Sequence, residues 1–198
     1  MSETATSAEG KAGAIGPGRL VLVVGPSGAG KDTLLRLAQA ACASDPGVVF
    51  PRRAVTRESS ADEDNVALTS DEFRRAREHG DFAVHWDAHG HSYALPRDIN
   101  DHISAGRTVV ANVSRTVIGG LRRTYANVVV VAITAPPAVL AQRLAARARQ
   151  SDGDLAERLT RSIDETTAQA DITILNAGSA EDHSRELVRV IRSEGRQE

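Results

Sequence analysis

The sequence predicts an α/β fold, in which a parallel sheet of about five strands carries helices on both faces. Apolar runs alternate with helical segments along the chain, which is typical of that fold class. The clearest runs are Leu20–Val24, Thr108–Val113 and Val128–Thr134. The first is continuously apolar and the other two are mostly apolar, as parallel strands covered on both faces are. The chain of 198 residues is long enough to bury one sizeable core.

The remaining elements follow from spacing, capping residues and prolines. Helices are predicted over Asp32–Ala43, Ser70–His79, Pro96–Ala105, Ser114–Tyr125, Pro136–Arg149, Asp154–Gln169 and Ala180–Arg192. Further strands are predicted at Val48–Phe50, Val55, Phe82–Trp86, Ser92–Leu95 and Ile172–Leu175. Ser70 is expected to cap its helix, and Pro96 to begin one. Residues 1–18 are small, polar and glycine-rich, so we expect a disordered tail before a domain over 19–198.

Composition and charge disfavour several classes of protein. The formal net charge of −2 argues against a basic nucleic-acid surface. The longest apolar stretch, near Val128–Ala135, is far shorter than the roughly 20 residues that span a bilayer. Cys42 is the only cysteine, so an intramolecular disulfide is excluded. With no signal peptide evident, we expect a cytoplasmic protein without nucleic-acid or membrane partners; the sequence does not specify an oligomeric state.

A glycine-rich turn joins the first predicted strand to the first predicted helix. It consists of Gly25, Pro26, Ser27, Gly28, Ala29, Gly30, Lys31, Asp32 and Thr33. Its glycines let backbone N–H groups converge on a polyphosphate, and the Lys31 ammonium reaches the terminal phosphates. The turn therefore predicts a nucleotide-binding P-loop with Lys31 as a catalytic cation. The alternative is a glycine-rich loop without a ligand.

Asp32 departs from the usual P-loop pattern, in which a hydroxyl residue follows the lysine. The hydroxyl comes one residue later, at Thr33, and Asn112 ends a later strand where a carboxylate is common. A carboxylate beside phosphates is unfavourable unless a divalent cation lies nearby. Asp32 and Thr33 are therefore candidate oxygen ligands for Mg²⁺, directly or through water. Alternatively, Asp32 only stabilises the first helical turn.

With these motifs, the chain resembles the P-loop nucleoside-monophosphate kinases of the guanylate kinase type and, within them, the ribose 1,5-bisphosphate phosphokinases. The resemblance covers nearly all of residues 19–192 and includes the P-loop aspartate, the pair Thr56-Arg57 and the segment Trp86–Gly90. It implies ATP and Mg²⁺ as cofactors, and transfer of the γ-phosphoryl group to ribose 1,5-bisphosphate. Ala94 and Val113 stand where this family usually has glycine, and we expect both to add a side chain near the acceptor site.

Predicted acceptor-binding residues come from arginines at strand ends and from the resemblance. Arg57, Arg53 and Arg115 are candidates because guanidinium groups suit phosphate oxygens, and Arg57 matches the family's phosphate clamp. The resemblance adds His89 and Tyr93, although that segment is alternatively a surface loop. The second arginine and the tyrosine that guanylate kinases carry after this clamp are missing, which favours a phosphorylated sugar without a base. The histidines near His89 also suggest a zinc site as an alternative, but no fitting fourth ligand is evident.

Residues 140–161 form a predicted lid of two helices joined by a polar turn. Arg143, Arg147 and Arg158 are candidates for closing over the transferred phosphoryl group, where negative charge builds up. The alternative is a solvated helix surface with charge pairs. Asn176 follows the last strand, in a loop that lies against the adenine according to the resemblance; a simple turn residue is the alternative.

Three other functions are weighed against this kinase. A guanylate or other nucleoside-monophosphate kinase is disfavoured by the missing guanine-site residues. A non-catalytic module of the guanylate kinase type is disfavoured by the intact Gly30-Lys31 turn. A GTPase switch needs an Asn-Lys-x-Asp motif, which the sequence lacks.

Overall fold

The computed structural model describes residues 13–57, 64–145 and 168–193. The strands in this part of the chain are β1 (Ile15–Val24), β2 (Val48–Val49), β3 (Arg53–Val55), β4 (Asn65–Ala67), β5 (Phe82–Ala88), β6 (His91–Pro96), β7 (Thr108–Asn112), β8 (Tyr125–Thr134) and β9 (Ile172–Leu175). The helices are α1 (Lys31–Ala41), α2 (Ser70–His79), α3 (Ile99–Ser104), α4 (Ile118–Thr124), α5 (Pro137–Ala145) and α6 (Ala180–Arg192). None of these helices is long and apolar enough to cross a membrane.

The central sheet has five parallel strands in the order β2-β7-β1-β8-β9. Alternate side chains of β1 enter two separate cores. Leu20 and Leu22 pack on the side of α3 and α4, whereas Val21 and Val23 pack on the side of α1 and α6. The predicted fold class, a parallel sheet with helices on both faces, is confirmed.

A second, smaller sheet has the strand order β4-β3-β6-β5. The predicted pairing of the segments around Phe82–Trp86 and Ser92–Leu95 is confirmed, because β5 and β6 form an antiparallel hairpin. The sequence did not predict a separate sheet, nor the parallel pairing of β3 with β4. Strands of three residues are too short to display the alternation by which strands are recognised.

Two predictions about helix starts are wrong, namely the cap residue of α2 and the helix that was expected to begin at Pro96. Thr69, not Ser70, caps α2: its hydroxyl accepts a hydrogen bond from the Glu72 backbone N–H (3.2 Å), and the Glu72 carboxylate accepts from the Thr69 backbone N–H (2.7 Å). This reciprocal capping box places the cap one residue earlier than predicted, whereas the predicted bounds of the helix, Ser70–His79, are confirmed. Pro96 ends β6 instead of opening a helix, and α3 begins at Ile99.

Other element bounds also differ from the predictions. The strand β1 begins at Ile15, so residues 15–18 lie in a strand and not in a tail. Gly18 lies so close to the carbonyl groups of Ile103 and Arg107 that a side chain there would overlap them. The segment predicted as one helix over Ser114–Tyr125 divides into a 3-10 turn, the helix α4 and the first residue of β8.

Candidate active site

The P-loop lies between β1 and α1, as predicted. Gly25, Gly28 and Gly30 have positive φ angles of 153°, 82° and 88°. A Cβ atom at Gly25 would overlap the carbonyl of Ile133, and one at Gly30 would overlap the side-chain amide of Asn176. Glycine is required at these two positions, because both the φ angle and the close approach exclude a side chain.

The Lys31 ammonium lies against the backbone of its own loop. Its Nζ atom donates hydrogen bonds to the carbonyl oxygens of Gly25 (2.8 Å) and Pro26 (2.9 Å). Asp32 and Thr33 complete the first turn of α1; Asp32 is half-buried and Thr33 is exposed. A cation, a carboxylate and a hydroxyl are thus grouped at a helix amino terminus, where backbone N–H groups also favour anions.

A chain of hydrogen bonds joins the P-loop helix to the second sheet. The Asn112 amide at the end of β7 donates to the Asp32 carboxylate (3.0 Å). The Arg53 guanidinium donates to the Asn112 carbonyl (3.3 Å) and, through Nε, to the side-chain oxygen of Asn65 (3.3 Å). The residue that stands where a carboxylate is common therefore supplies an amide that holds the carboxylate of Asp32.

Asn176 and Arg143 support the P-loop from the other side. The Asn176 side chain is buried and donates to the Ala29 carbonyl (2.8 Å). The Arg143 guanidinium donates to the Gly28 carbonyl (3.3 Å). Both residues thus position the loop backbone; contact of Asn176 with an adenine and contact of Arg143 with a phosphoryl group stay predictions.

Thr134, at the end of β8, carries a buried polar atom that has no partner among the described residues. Its backbone carbonyl accepts a hydrogen bond from the Asn176 N–H (2.7 Å), but its hydroxyl oxygen makes no hydrogen bond to the described residues. Leaving such a group unsatisfied costs about 1–3 kcal/mol. A hydroxyl of this kind beside a P-loop fits a site that a bound molecule or water completes.

A cleft of about 350 Å³ opens beside the first turn of α1. Asp32, Arg36 and Gln39 line it from α1, Asn112 lines it from β7, and Arg53 lines it from β3. The cleft lies at the carboxyl end of β7, where ligands bind in open α/β sheets. A molecule in this cleft would therefore lie next to the P-loop.

Of the five predicted acceptor residues, Arg53 alone lines this cleft. Tyr93 is buried and stacks on Trp86, with ring centroids 5.7 Å apart. The Arg53 guanidinium lies 5.8 Å from the Tyr93 ring centroid, close enough for a cation–π contact. Tyr93 does not line the cleft itself, but it contacts Arg53, which does.

The other predicted acceptor residues lie elsewhere around the second sheet. His89 is exposed in the turn between β5 and β6, with a positive φ of 52°. Arg57 follows β3, where the Thr56 hydroxyl accepts a hydrogen bond from the Ser92 N–H (2.9 Å). Arg115 opens the 3-10 turn after β7. Their roles in binding an acceptor stay predictions.

The two residues that depart from the family pattern, Ala94 and Val113, are both buried in hydrophobic cores. Ala94 is fully buried in a small core with Ala54 and Phe73, and Val113 is buried in the larger core. Neither residue lines the cleft, and the expectation that both add a side chain near the acceptor site stays a prediction.

Most of the predicted lid lies outside the described residues. The helix α5 is described as far as Ala145, and it includes Arg143. Arg147, Arg158 and nearly all of the predicted second lid helix fall in residues 146–167, which are not described. Their closing over the phosphoryl group stays a prediction.

The donors at the P-loop fit a nucleotide with Mg²⁺. The P-loop backbone can adopt this conformation only because Gly25 and Gly30 have no side chains. Lys31 follows directly after Gly30. Among the described residues, no three His, Cys, Asp or Glu side chains are grouped to hold a metal. Asp32 and Thr33 offer hard oxygen atoms, and Mg²⁺ is usually held by one or two such groups together with phosphates and waters.

Sequence reasoning missed three residues of the site. In the sequence, Asn112 was notable only because an asparagine stands where a carboxylate is common. Its position at the end of a predicted strand was a signal that it could lie near Asp32 in the P-loop helix. Arg36 and Asn65 gave none: their part in the cleft depends on how β4 and α1 meet in space.

Comparisons with known proteins agree with this geometry. The chain matches the guanylate kinase family over residues 17–194. It is 78% identical to ribose 1,5-bisphosphate phosphokinase PhnN of Bradyrhizobium diazoefficiens, over 98% of each chain, and 61% identical to the protein of that name from Rhodopseudomonas palustris, over 90% of each. The guanylate kinase of Anaplasma phagocytophilum shares the fold, with a TM-score of 0.65 and 20% identity over 90% of this chain and 86% of that one. The chain therefore belongs to the guanylate kinase family of P-loop kinases, together with the relatives named ribose 1,5-bisphosphate phosphokinase.

Proposed function

We propose that the chain transfers the γ-phosphoryl group of ATP to ribose 1,5-bisphosphate, giving 5-phospho-α-D-ribose 1-diphosphate and ADP. The observation that carries this proposal is the 78% identity, over 98% of the chain, to a relative named for that activity. In the reaction, the bond from the γ-phosphorus to the bridging oxygen breaks, and ADP leaves with the bonding electrons. A new bond forms to an oxygen of the 1-phosphate.

The site needs little acid–base chemistry for this transfer. The acceptor phosphate is already ionised at neutral pH, so no general base has to remove a proton. The residues act by positioning and charge: P-loop N–H groups bind the triphosphate, and Lys31 moves from its loop carbonyls to the terminal phosphates. Asp32 and Thr33 would hold Mg²⁺, which when bound neutralises charge on the phosphates.

The lid arginines act on the phosphoryl group while it is being transferred. Arg143 lies beside the P-loop through its contact with Gly28, and Arg147 and Arg158 follow in the predicted lid. Their guanidinium groups stabilise the charge on the equatorial oxygens, and closure excludes water that would otherwise hydrolyse ATP.

The test offers the purified enzyme, ATP and Mg²⁺ with one of four acceptors: ribose 1,5-bisphosphate, GMP, AMP or ribose 5-phosphate. We expect ADP and the diphosphate product with the bisphosphate alone. Turnover with GMP alone would instead identify a guanylate kinase, the activity that gives this fold family its name. ADP release with none of the four acceptors would favour a binding module.

A further inference from the structure

We propose that Arg36 binds the second phosphate of the acceptor and thereby selects a sugar bisphosphate over a sugar monophosphate. The inference rests on the proposed function, because it assigns the two phosphates of the acceptor to the two ends of the cleft. The reacting 1-phosphate lies at the P-loop end, and the 5-phosphate lies at the Arg36 end.

The position of Arg36 along α1 supports this assignment. Arg36 comes four residues after Asp32, and both residues line the cleft. Four residues advance a helix by about 6 Å and return to the same face. A ribose unit separates its 1-phosphate and 5-phosphate by a similar span. A phosphate seated beside the P-loop thus leaves the second phosphate of the same molecule near Arg36.

The Arg36 guanidinium is available to a ligand. Its side chain is exposed, and it makes no hydrogen bond or ion pair with any residue in 13–57, 64–145 or 168–193. A guanidinium presents a planar set of donors that matches two phosphate oxygens at once. Arg36 therefore supplies the fork that a terminal phosphate needs.

The opposite wall of the cleft carries a second guanidinium in a fixed place. Arg53 is oriented by Asn65, by the Asn112 carbonyl and by the Tyr93 ring. Arg36 and Arg53 line the cleft from α1 and from β3. A phosphorylated ligand between them meets a cation from each wall.

Among the described residues, the carboxylates that line the cleft leave the Arg36 end favourable for an anion. Asp64 accepts a hydrogen bond from the Arg52 guanidinium at 2.6 Å, so its charge is paired. Asp32 lies at the P-loop end and accepts from the Asn112 amide. Gln39, one turn beyond Arg36 on the same wall, is uncharged.

The test compares two acceptors that differ only in the second phosphate, namely ribose 1,5-bisphosphate and ribose 1-phosphate. In Arg36→Gln we expect the KM for the bisphosphate to rise by about 10-fold or more, as the loss of a charge-assisted contact predicts. The kcat at saturation and the KM for ATP should stay within about twofold. Ribose 1-phosphate lacks the second phosphate, so we expect wild type to use it less well than the bisphosphate and Arg36→Gln to use it as well as wild type does. Titration calorimetry of the bisphosphate without nucleotide should show the same loss of affinity.

Two further variants serve as references. Arg36→Lys keeps the charge but loses the planar set of donors, so its KM for the bisphosphate should lie between the values of wild type and Arg36→Gln. Arg77→Gln removes an exposed arginine from α2, away from the cleft, and should match wild type. If wild type uses the bisphosphate and Arg36→Gln binds it equally well, or loses both acceptors to the same extent, the role of Arg36 is wrong and the proposed function stands. If wild type does not use the bisphosphate, both proposals are overturned.

Discussion

The nucleotide side and the proposed acceptor side of the active site are built in different ways. On the nucleotide side, nine consecutive residues from Gly25 to Thr33 form the loop and the first helical turn. On the acceptor side, the cleft draws on α1, β3, the start of β4 and the end of β7. One side is a local structure, whereas the other exists only after the two sheets have come together.

The difference explains how each side responds to change. A P-loop binds phosphate through backbone groups, so its function depends on conformation and tolerates few side chains. Under the proposed function, the cleft binds the acceptor through side chains that are held by neighbours, as Arg53 is held by Asn65 and Asn112. We therefore expect nucleotide-side variants to change kcat and the KM for ATP, and acceptor-side variants to change the KM for the acceptor.

The largest expected effect follows from Lys31→Ala. Removing the ammonium takes away a cation that meets the charge of the transferred group, so kcat should fall by about 10²–10³. Lys31→Arg keeps the charge with a different reach and should recover part of the rate. Product formation by initial rates and ATP binding by calorimetry measure both effects. An alanine variant with wild-type rate and wild-type ATP affinity would contradict the assignment of this loop.

The same difference between the two sides explains how much of the site could be predicted from the sequence. The P-loop, the parallel sheet and its helices were predictable, because contiguous apolar runs and a contiguous motif specify them. The Asn112–Asp32 contact joins residues 80 positions apart, and Arg36 has no motif of its own. The sequence did not show that Tyr93 packs on Trp86 and contacts Arg53, and its binding of the acceptor stays a prediction. A linear pattern marks such residues as unusual, but it does not show which neighbour each one meets.

The Asp32–Asn112 pair is the point where the two sides meet, and a carboxylate exchange tests it. Asp32→Asn removes the carboxylate, so the Mg²⁺ concentration for half-maximal activity should rise by about 10-fold, as for other groups that orient a metal site. Asn112→Asp places a second carboxylate within hydrogen-bond distance of the first and should impair activity by repulsion.

The double variant Asp32→Asn, Asn112→Asp serves as the control for this pair. It keeps one amide and one carboxylate but exchanges their positions, so the repulsion is relieved and activity should exceed that of Asn112→Asp. A Mg²⁺ titration of initial rates distinguishes the two roles of Asp32. An unchanged Mg²⁺ requirement in Asp32→Asn would leave Asp32 as a residue that only stabilises the helix start.

A smaller effect is expected at Asn176, which holds the P-loop from outside. Asn176→Ala removes the donor to the Ala29 carbonyl, and a net loss of about 1 kcal/mol corresponds to roughly a fivefold higher KM for ATP. The KM for the acceptor should not change. The control is Asn127→Ala, because Asn127 makes the same kind of amide contact, to the Pro17 carbonyl at 2.8 Å, at the start of β8. Equal changes in ATP KM for both variants would reduce Asn176 to a general stabilising residue.

The smallest expected effect lies in the capping box of α2, which supports the acceptor side without touching the cleft. This helix buries Phe73 against β3 and β6. Thr69→Ala removes the cap and should lower the Tm by about 2–4 °C, with kcat and both KM values unchanged.

The pH dependence of that stability gives the sign of the Glu72 contribution. Hydrogen bonds from the Thr69 backbone and side chain lower the pKa of the Glu72 carboxyl below its ordinary value of 4.5. Because the folded-state pKa is lowered, the stabilisation is present above that ordinary value and is lost as the pH falls through the folded-state pKa. Thermal unfolding should therefore show wild type above Glu72→Gln in Tm at pH 7, with the gap closing once the pH falls below the ordinary value of 4.5. A gap that stays constant from pH 7 to pH 3 would mean that packing of the side chain, not its charge, stabilises the helix start.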